Sequence, residues 1–285
     1  MTVRSACFYL LLLTTAACHS SSTPTVDDQG VSIAYTDAGH GDTTLVFVHG
    51  WCLDKTYWSK QVDFFKNRYR VVAVDLPGFG ESGKNRTDWS VAAFGRDIDS
   101  VLSQLKLKNV ILVGHSMAGD IVVEAALHAP DRVIAVVGVD NFKNIHPETQ
   151  QQKDDDARMV VLLKQGFTQA AFQFFNDDLF YTSTPDSVRK RILTDVANAD
   201  SVVATACMAQ NSYDEAKNLA AWGRPLYLIN SDYQATDTTA FRAASIPYKI
   251  FWIRDTGHFP MVENPDEFNA QLEKALSVIG GKSVI

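Results

Sequence analysis

The sequence is poor in two things, cysteine and positive charge. Only four cysteines occur among 285 residues, which is too few for a small domain held together by a disulfide scaffold. The 26 lysines and arginines are outnumbered by 33 aspartates and glutamates, giving a formal net charge of −7. A negative balance argues against nucleic acid as a partner, because phosphate backbones are repelled by an acidic surface.

Other familiar signatures are missing as well. The chain has no glycine-rich nucleotide loop and no cluster of residues at metal-ligand spacing, so we expect neither a cofactor nor a metal. It has no internal repeat, and its only low-complexity stretch is a short serine-rich segment near the N-terminus. What is present is ordinary: 46% hydrophobic and 21% charged residues. This composition is typical of a globular chain, long enough for one domain with an insertion.

The N-terminus has the pattern of an export signal. Residues 1–17 carry one positive charge, an apolar run at 6–13 and then small residues before Cys18. The apolar run is too short to span a membrane. The small residues ending in Cys18 resemble a bacterial lipoprotein cleavage box, and residues 18–28 have a flexible tether composition. We expect an exported protein, anchored to the membrane through lipid on Cys18 or, alternatively, released after ordinary signal cleavage.

Export would leave two cysteines in the mature body. Cys7 would leave with the signal and Cys18 would carry the lipid, so only Cys52 and Cys207 could pair in an oxidising compartment. Such a bond would tie the loop after an early strand to the central part of the chain. Two free buried thiols are the alternative, because buried unpaired cysteines are common.

The body of the sequence alternates apolar runs with helix-like segments. Continuous aliphatic runs, the type found in parallel strands buried on both faces, occur at residues 44–48, 70–74, 109–113, 132–139, 225–229 and 248–253. This alternation predicts an α/β fold whose mostly parallel central sheet is flanked by helices.

The strand pattern stops between residues 141 and 224. This stretch contains helix-like segments at 154–164, 168–175 and 185–197, and it is too long for a plain connection. We therefore predict a helical cap over residues 141–224, inserted into a core formed by 29–140 and 225–285. The cap also carries a cluster of aromatic residues: Phe167, Phe172, Phe174, Phe175, Phe180 and Tyr181.

Ser116 lies where a strand should turn sharply into a helix. It is the third residue of the segment 114–119, G-H-S-M-A-G, and small neighbours on such a turn allow an outward-pointing nucleophile beside helix N–H groups. The fifth position of this pattern is usually glycine and here is Ala118, which fits if its φ is negative. The alternative is that Ser116 only caps the following helix.

The turn at Ser116 is one of four motifs that occur in a fixed order along the chain. They are H-G-W at 49–51, D-L-P-G-F-G-E-S at 75–82, the segment around Ser116, and G-H-F-P-M-V-E-N-P-D-E-F at 257–268. Together they resemble the α/β-hydrolase superfamily over about residues 31–276. The resemblance implies an α/β-hydrolase fold with an inserted cap, and a serine hydrolase of the esterase type.

The resemblance also assigns a catalytic triad. Ser116 would be the nucleophile and His258 its general base, while an acid would hold the histidine tautomer. We expect Asp232 to be that acid, because it follows the strand at 225–229 and gives the family's chain order of Ser, Asp, His. Asp140, after the strand at 132–139, is the rival, and Asp237 a weaker one.

By family position, backbone N–H groups of Trp51 and Met117 would form the oxyanion hole. A serine nucleophile implies hydrolysis of a small-molecule ester, and a cap with an apolar underside implies a small or medium apolar acyl group. Carbon–carbon bond hydrolases and perhydrolases use the same triad. A binding or signalling protein with little turnover is the alternative from another class. The sequence leaves the natural substrate and the oligomeric state open.

Overall fold

A computed structural model describes residues 23–210 and 213–281. The predicted signal and the lipid site at Cys18 lie outside the described residues and stay predictions. Eight strands form one sheet in the order β1-β2-β4-β3-β5-β6-β7-β8. They are β1 (Thr25–Asp28), β2 (Val31–Ala38), β3 (Thr44–Val48), β4 (Arg70–Val74), β5 (Val110–His115), β6 (Val133–Val139), β7 (Leu226–Ser231) and β8 (Tyr248–Ile253).

The predicted α/β fold is confirmed by this sheet. In the described sheet, every neighbouring pair from β4 across to β8 is parallel, whereas β1 pairs antiparallel with β2 and β2 pairs antiparallel with β4. Every residue of β3 is buried, because helices cover both faces of the parallel part of a sheet. In its centre Val46 pairs with Val72 of β4 and with Leu112 of β5.

One segment differs from the sequence prediction. Residues 25–28, expected as the end of a flexible tether, form β1 and pair with β2 in antiparallel register from Thr25 to Asp28. Val26 is buried, and Ser100 and Gln104 donate hydrogen bonds to Asp28 and to the Asp27 carbonyl, at 2.7 and 2.6 Å, so these contacts and the backbone ladder hold the strand in place. A serine- and threonine-rich composition does not reveal such a contact.

Ten α-helices flank the sheet within residues 23–210 and 213–281. They are α1 (Ser59–Phe65), α2 (Val91–Gln104), α3 (Ala118–His128), α4 (Gln150–Phe174), α5 (Asp186–Asn198), α6 (Ser201–Met208), α7 (Glu215–Trp222), α8 (Thr239–Ala243), α9 (Pro260–Glu263) and α10 (Pro265–Ile279). None of the helices in the described ranges is both long and apolar enough to cross a membrane.

The described part of residues 141–224 is helical and adds no strand to the sheet. The helix-like patterns at 154–164 and 168–175 belong to α4, which is interrupted at Gly166, and a π-helical turn (Phe175–Leu179) follows it. α4 packs against α5 and α6, whereas α7 packs against α3 of the core. The cap boundaries at 141 and 224 themselves remain a prediction.

Candidate active site

Ser116 occupies a strained corner between β5 and α3. Its φ of 54° lies in the left-handed region, which costs a residue other than glycine of order 1–3 kcal/mol. Its N–H donates to the Val139 carbonyl at 3.0 Å, and its own carbonyl accepts from Gly119 N–H at 2.8 Å. Ser116 does not cap α3, because the N-cap is Met117 and no side chain bonds the helix start. The alternative of a capping serine is therefore wrong.

Small residues around the corner are required by close approaches. A Cβ on Gly114 would lie 2.3 Å from the Ala118 carbonyl oxygen, and one on Gly119 would lie 2.3 Å from Asn141 Nδ2. Ala118 is buried as the first residue of α3, and it is not among the residues with positive φ. Alanine is thus tolerated at the fifth position of the motif because the helix begins there.

His258 lies in the loop after β8 and faces the same cavity as Ser116. Its ring is largely buried, and its Nδ1–H donates to Asp140 Oδ2 at 2.6 Å. Its backbone N–H donates to the Leu179 carbonyl at 2.9 Å, which ties the histidine loop to the cap. With Nδ1 held by a carboxylate, Nε2 is the nitrogen left free to accept a proton.

Asp140, at the end of β6, is the carboxylate that meets this histidine. It is fully buried, and its Oδ1 accepts from Ser231 N–H at 2.9 Å and Ser231 Oγ at 2.6 Å. Burial on its own raises the pKa of Asp140, but the hydrogen bond and charge of His258, with Lys143 and Ser231, hold that pKa well below its usual value. Asp140 is therefore ionised at neutral pH.

The expected acid, Asp232, does not reach His258. It is exposed, and its Oδ1 accepts from the Asp255 N–H at 3.2 Å. Successive side chains of a strand point to opposite faces. Ser231, the last residue of β7, points inward to Asp140, so the next residue points to solvent. The expectation is corrected: the structure brings Asp140 rather than Asp232 to the histidine.

The weaker candidate, Asp237, is also remote from this contact. It is exposed and accepts hydrogen bonds from the N–H and hydroxyl of Thr239. Its other neighbour is His146, at 3.3 Å. Asp237 therefore organises the start of the short helix α8 and lies outside the site.

The two expected oxyanion donors flank the nucleophile. Trp51 and Met117 both line the cavity with Ser116 and His258, and neither N–H donates to a backbone carbonyl in the described loops. His49 fixes the loop that carries Trp51, because its Nδ1–H donates to the Gly50 carbonyl at 2.8 Å and its Nε2 accepts from Leu76 N–H at 3.0 Å. Burial lowers the pKa of His49, so this bridge is made by a neutral ring.

An apolar cavity of about 300 Å³ opens over the site. The core contributes His115 and Phe259 to its lining besides the residues already described, and the cap contributes Phe174, Phe175, Leu179 and Met208. The ring of Trp51 stacks on Phe175 with centroids 5.9 Å apart, and its Nε1–H donates to the Ala204 carbonyl of α6 at 2.8 Å. The cap therefore forms the apolar wall of the cavity.

Several residues of the site were missed by sequence reasoning. His115 Nε2–H donates to the His258 carbonyl at 2.8 Å, and burial lowers the pKa of His115 to about 3. Lys143 and Tyr233 also surround the carboxylate–histidine pair. His115 had a signal in its place next to Ser116, whereas the others follow strand ends without any motif.

The two cysteines near the site are free. Cys52 and Cys207 are both buried thiols and do not form a disulfide. Burial raises the pKa of each, with the neighbouring Cys207 acting in the same direction on Cys52. Of the two alternatives, the structure has the unpaired thiols. Among residues 23–210 and 213–281, no group of three or more His, Cys, Asp and Glu could hold a metal ion.

Comparisons with known proteins place this geometry in a family. The model of the "Alpha/beta hydrolase family" matches residues 45–271. The dihydrolipoyllysine-residue acetyltransferase component of an acetoin cleaving system from Cupriavidus necator is 26% identical over 264 residues, 88% of this chain and 68% of that protein. The pimeloyl-[acyl-carrier protein] methyl ester esterase of Aliivibrio salmonicida is 27% identical over 262 residues, 86% of this chain and 96% of that protein.

Solved structures agree on the fold. A thermophilic esterase from Thermogutta terrifontis superimposes with a TM-score of 0.76 at 24% sequence identity, over 90% of this chain and 97% of its own. The family match spans most of the sequence, including the strand–corner–helix unit at Ser116 and the loop of His258. The chain therefore belongs to the alpha/beta hydrolase family.

Proposed function

We propose that this protein is a serine hydrolase that cleaves a small or medium apolar ester through an acyl-enzyme. The observation that carries the proposal is the 2.6 Å bond from His258 Nδ1 to the buried Asp140, in a cavity that His258 shares with Ser116. A nucleophile, a base and an orienting acid on three separate loops are what acyl transfer requires.

The proposed reaction has two halves. Ser116 Oγ attacks the ester carbonyl carbon while His258 Nε2 takes the hydroxyl proton, and His258 then gives that proton to the departing alcohol. Water, deprotonated by the same nitrogen, attacks the acyl-enzyme and releases the acid and free Ser116. Asp140 holds the ring by its Nδ1–H and stabilises the positive charge that the ring carries in each half.

The proposal also assigns hydrogen-bond donors to the negative charge that develops on the carbonyl oxygen. The N–H groups of Trp51 and Met117 would donate to the oxyanion, and a single donor of this kind is worth about 100-fold to 1,000-fold in rate. Both belong to fixed backbone, one in the loop held by His49 and one at the start of α3. They need no rearrangement when the charge develops.

The substrate class follows from the cavity. A volume of about 300 Å³ lies at the lower end of the range for small-molecule sites. Its lining contains no lysine, arginine, aspartate or glutamate, so a charged acyl group would be desolvated without a partner. The best substrates are therefore expected to carry an uncharged, apolar acyl chain.

The test uses Ser116→Ala with the exposed Ser103→Ala as its matched control. We expect the wild type and the control to hydrolyse a chromogenic short-chain ester and to be labelled by a fluorophosphonate, and Ser116→Ala to do neither. Removal of a triad nucleophile costs about a million-fold in turnover. Equal turnover by Ser116→Ala would overturn the proposed role of Ser116, and no turnover in either protein would favour the binding-protein alternative.

A further inference from the structure

A buried cation lies beside Asp140 on the side away from His258. Lys143 Nζ is 2.9 Å from Asp140 Oδ1, and its side chain is 14% exposed. The ammonium also donates to the Ser231 carbonyl at 3.2 Å and lies 4.0 Å from the centroid of the Tyr233 ring. The two carboxylate oxygens are thus divided, with Oδ2 facing the imidazole and Oδ1 facing the lysine.

Hydrogen bonding alone does not account for this lysine. Asp140 Oδ1 already accepts from Ser231 N–H at 2.9 Å, and Ser231 Oγ lies 2.6 Å from Oδ1 and 2.7 Å from the Gly257 carbonyl, so its one proton is shared between them. The carboxylate therefore has a hydrogen-bond donor at each oxygen without the lysine. Burying an ammonium is costly. Burial lowers the pKa of Lys143, although the charge of Asp140 acts to raise it. What Lys143 adds at this cost is a positive charge close to the carboxylate–histidine pair.

The other ionisable groups that face the pair act in the opposite direction or are neutral. Asp232 lies near Lys143, while Glu263 and Asp178 lie near Tyr233. These three carboxylates carry charge opposite in sign to that of Lys143. Burial keeps His115 neutral, with a pKa of about 3, and raises the pKa of Tyr233 far above its usual value.

We propose that Lys143 is a positioning residue that acts through Asp140 to favour the uncharged form of His258, so that the enzyme works at lower pH than the same site would without this lysine. The inference rests on the proposed function. An imidazolium at His258 is stabilised by the negative charge of Asp140, and a cation on the same carboxylate offsets part of that stabilisation. The neutral ring is the form that accepts the Ser116 proton, so the charge of Lys143 favours the reactive form.

The experiment is the pH dependence of fluorophosphonate labelling of Ser116, measured as a rate between about pH 4 and pH 9. Lys143→Met removes the positive charge but keeps a side chain of similar length, and Lys143→Arg keeps the charge. The control is Lys66→Met, which removes a surface lysine that pairs with Asp63 at 2.7 Å. We expect Lys143→Met to raise the apparent pKa of the acid limb by about one. Lys143→Arg should restore the wild-type limb and Lys66→Met should leave it unchanged.

Each other outcome decides against the inference. If Lys143→Met slows labelling equally at every pH with an unmoved limb, Lys143 is only structural. If Lys143→Met does not fold, Lys143→Gln takes its place, and an unmoved limb there, or misfolding of both, overturns the inference in the same way. A wild type that is not labelled at all defeats the proposed function, whereas a labelled wild type with an unshifted variant defeats this inference alone.

Discussion

At the scale of single residues, the choice of acid is the point on which the site depends. Asp140→Asn should lower kcat/KM for a short-chain ester by about 10,000-fold, because the neutral amide favours the wrong histidine tautomer. Asp232→Asn is the matched control and should stay within about twofold of the wild type, since an exposed carboxylate contributes little. Steady-state kinetics with thermal unfolding of both variants test this, and a large loss in Asp232→Asn alone would return the role to Asp232.

The same residues show which parts of the site could be predicted from the sequence. Ser116, His258 and the two oxyanion candidates lie in ordered motifs, and the structure arranges all of them around one cavity. Asp140 and Asp232 each follow a predicted strand, so no local pattern separates them. The choice between them depends on which side chains at the strand ends point towards the histidine, and the register of the folded sheet decides this.

At the scale of elements, the parallel strands were predictable from their apolar runs, including β8 at one edge of the sheet, whereas the antiparallel strands β1 and β2 were not. The runs at 44–48 and 70–74 coincide with β3 and β4, and β5 continues two residues beyond its predicted end to reach the corner. The antiparallel strands β1 and β2 carry polar residues on one side, so they give no continuous apolar run. How α6 lies over the cavity depends on long-range contacts that no periodicity encodes.

The α6 helix gives a prediction about acyl length. Met208, its last residue, lines the cavity, so Met208→Ala should enlarge the space for the acyl chain. We expect the preferred chain to lengthen, with each added methylene that is buried worth about fourfold in kcat/KM. Val202→Ala, at a position 75% exposed on the same helix, is the control. An unchanged or shorter optimum in Met208→Ala, measured with a series of esters, would show that the acyl chain lies elsewhere.

At the scale of the whole molecule, the packing of α7 on α3 couples stability to pH. Burial raises the pKa of Glu215 to about 7, with the charge of Glu148 adding to the effect, and raises that of Asp120 well above its usual value. A carboxyl whose pKa is higher in the folded state binds more protons there, so its contribution falls as pH rises from about 4.5 to about 7. The ionised forms of these acids therefore oppose the attachment of α7 to the core.

Glu215→Gln should accordingly stabilise the fold more at high pH than at low pH. The neutral amide removes the cost of ionising a partly buried carboxyl, so its gain in the free energy of unfolding should be larger at about pH 8 than at about pH 5 by about 2 kcal/mol. Urea unfolding at both pH values measures this difference, with the exposed Asp131→Asn as the control that should show none. An equal gain at both pH values would mean that Glu215 is already ionised below pH 5 in the folded protein. Ionisation of Glu215 would then not weaken the packing of α7.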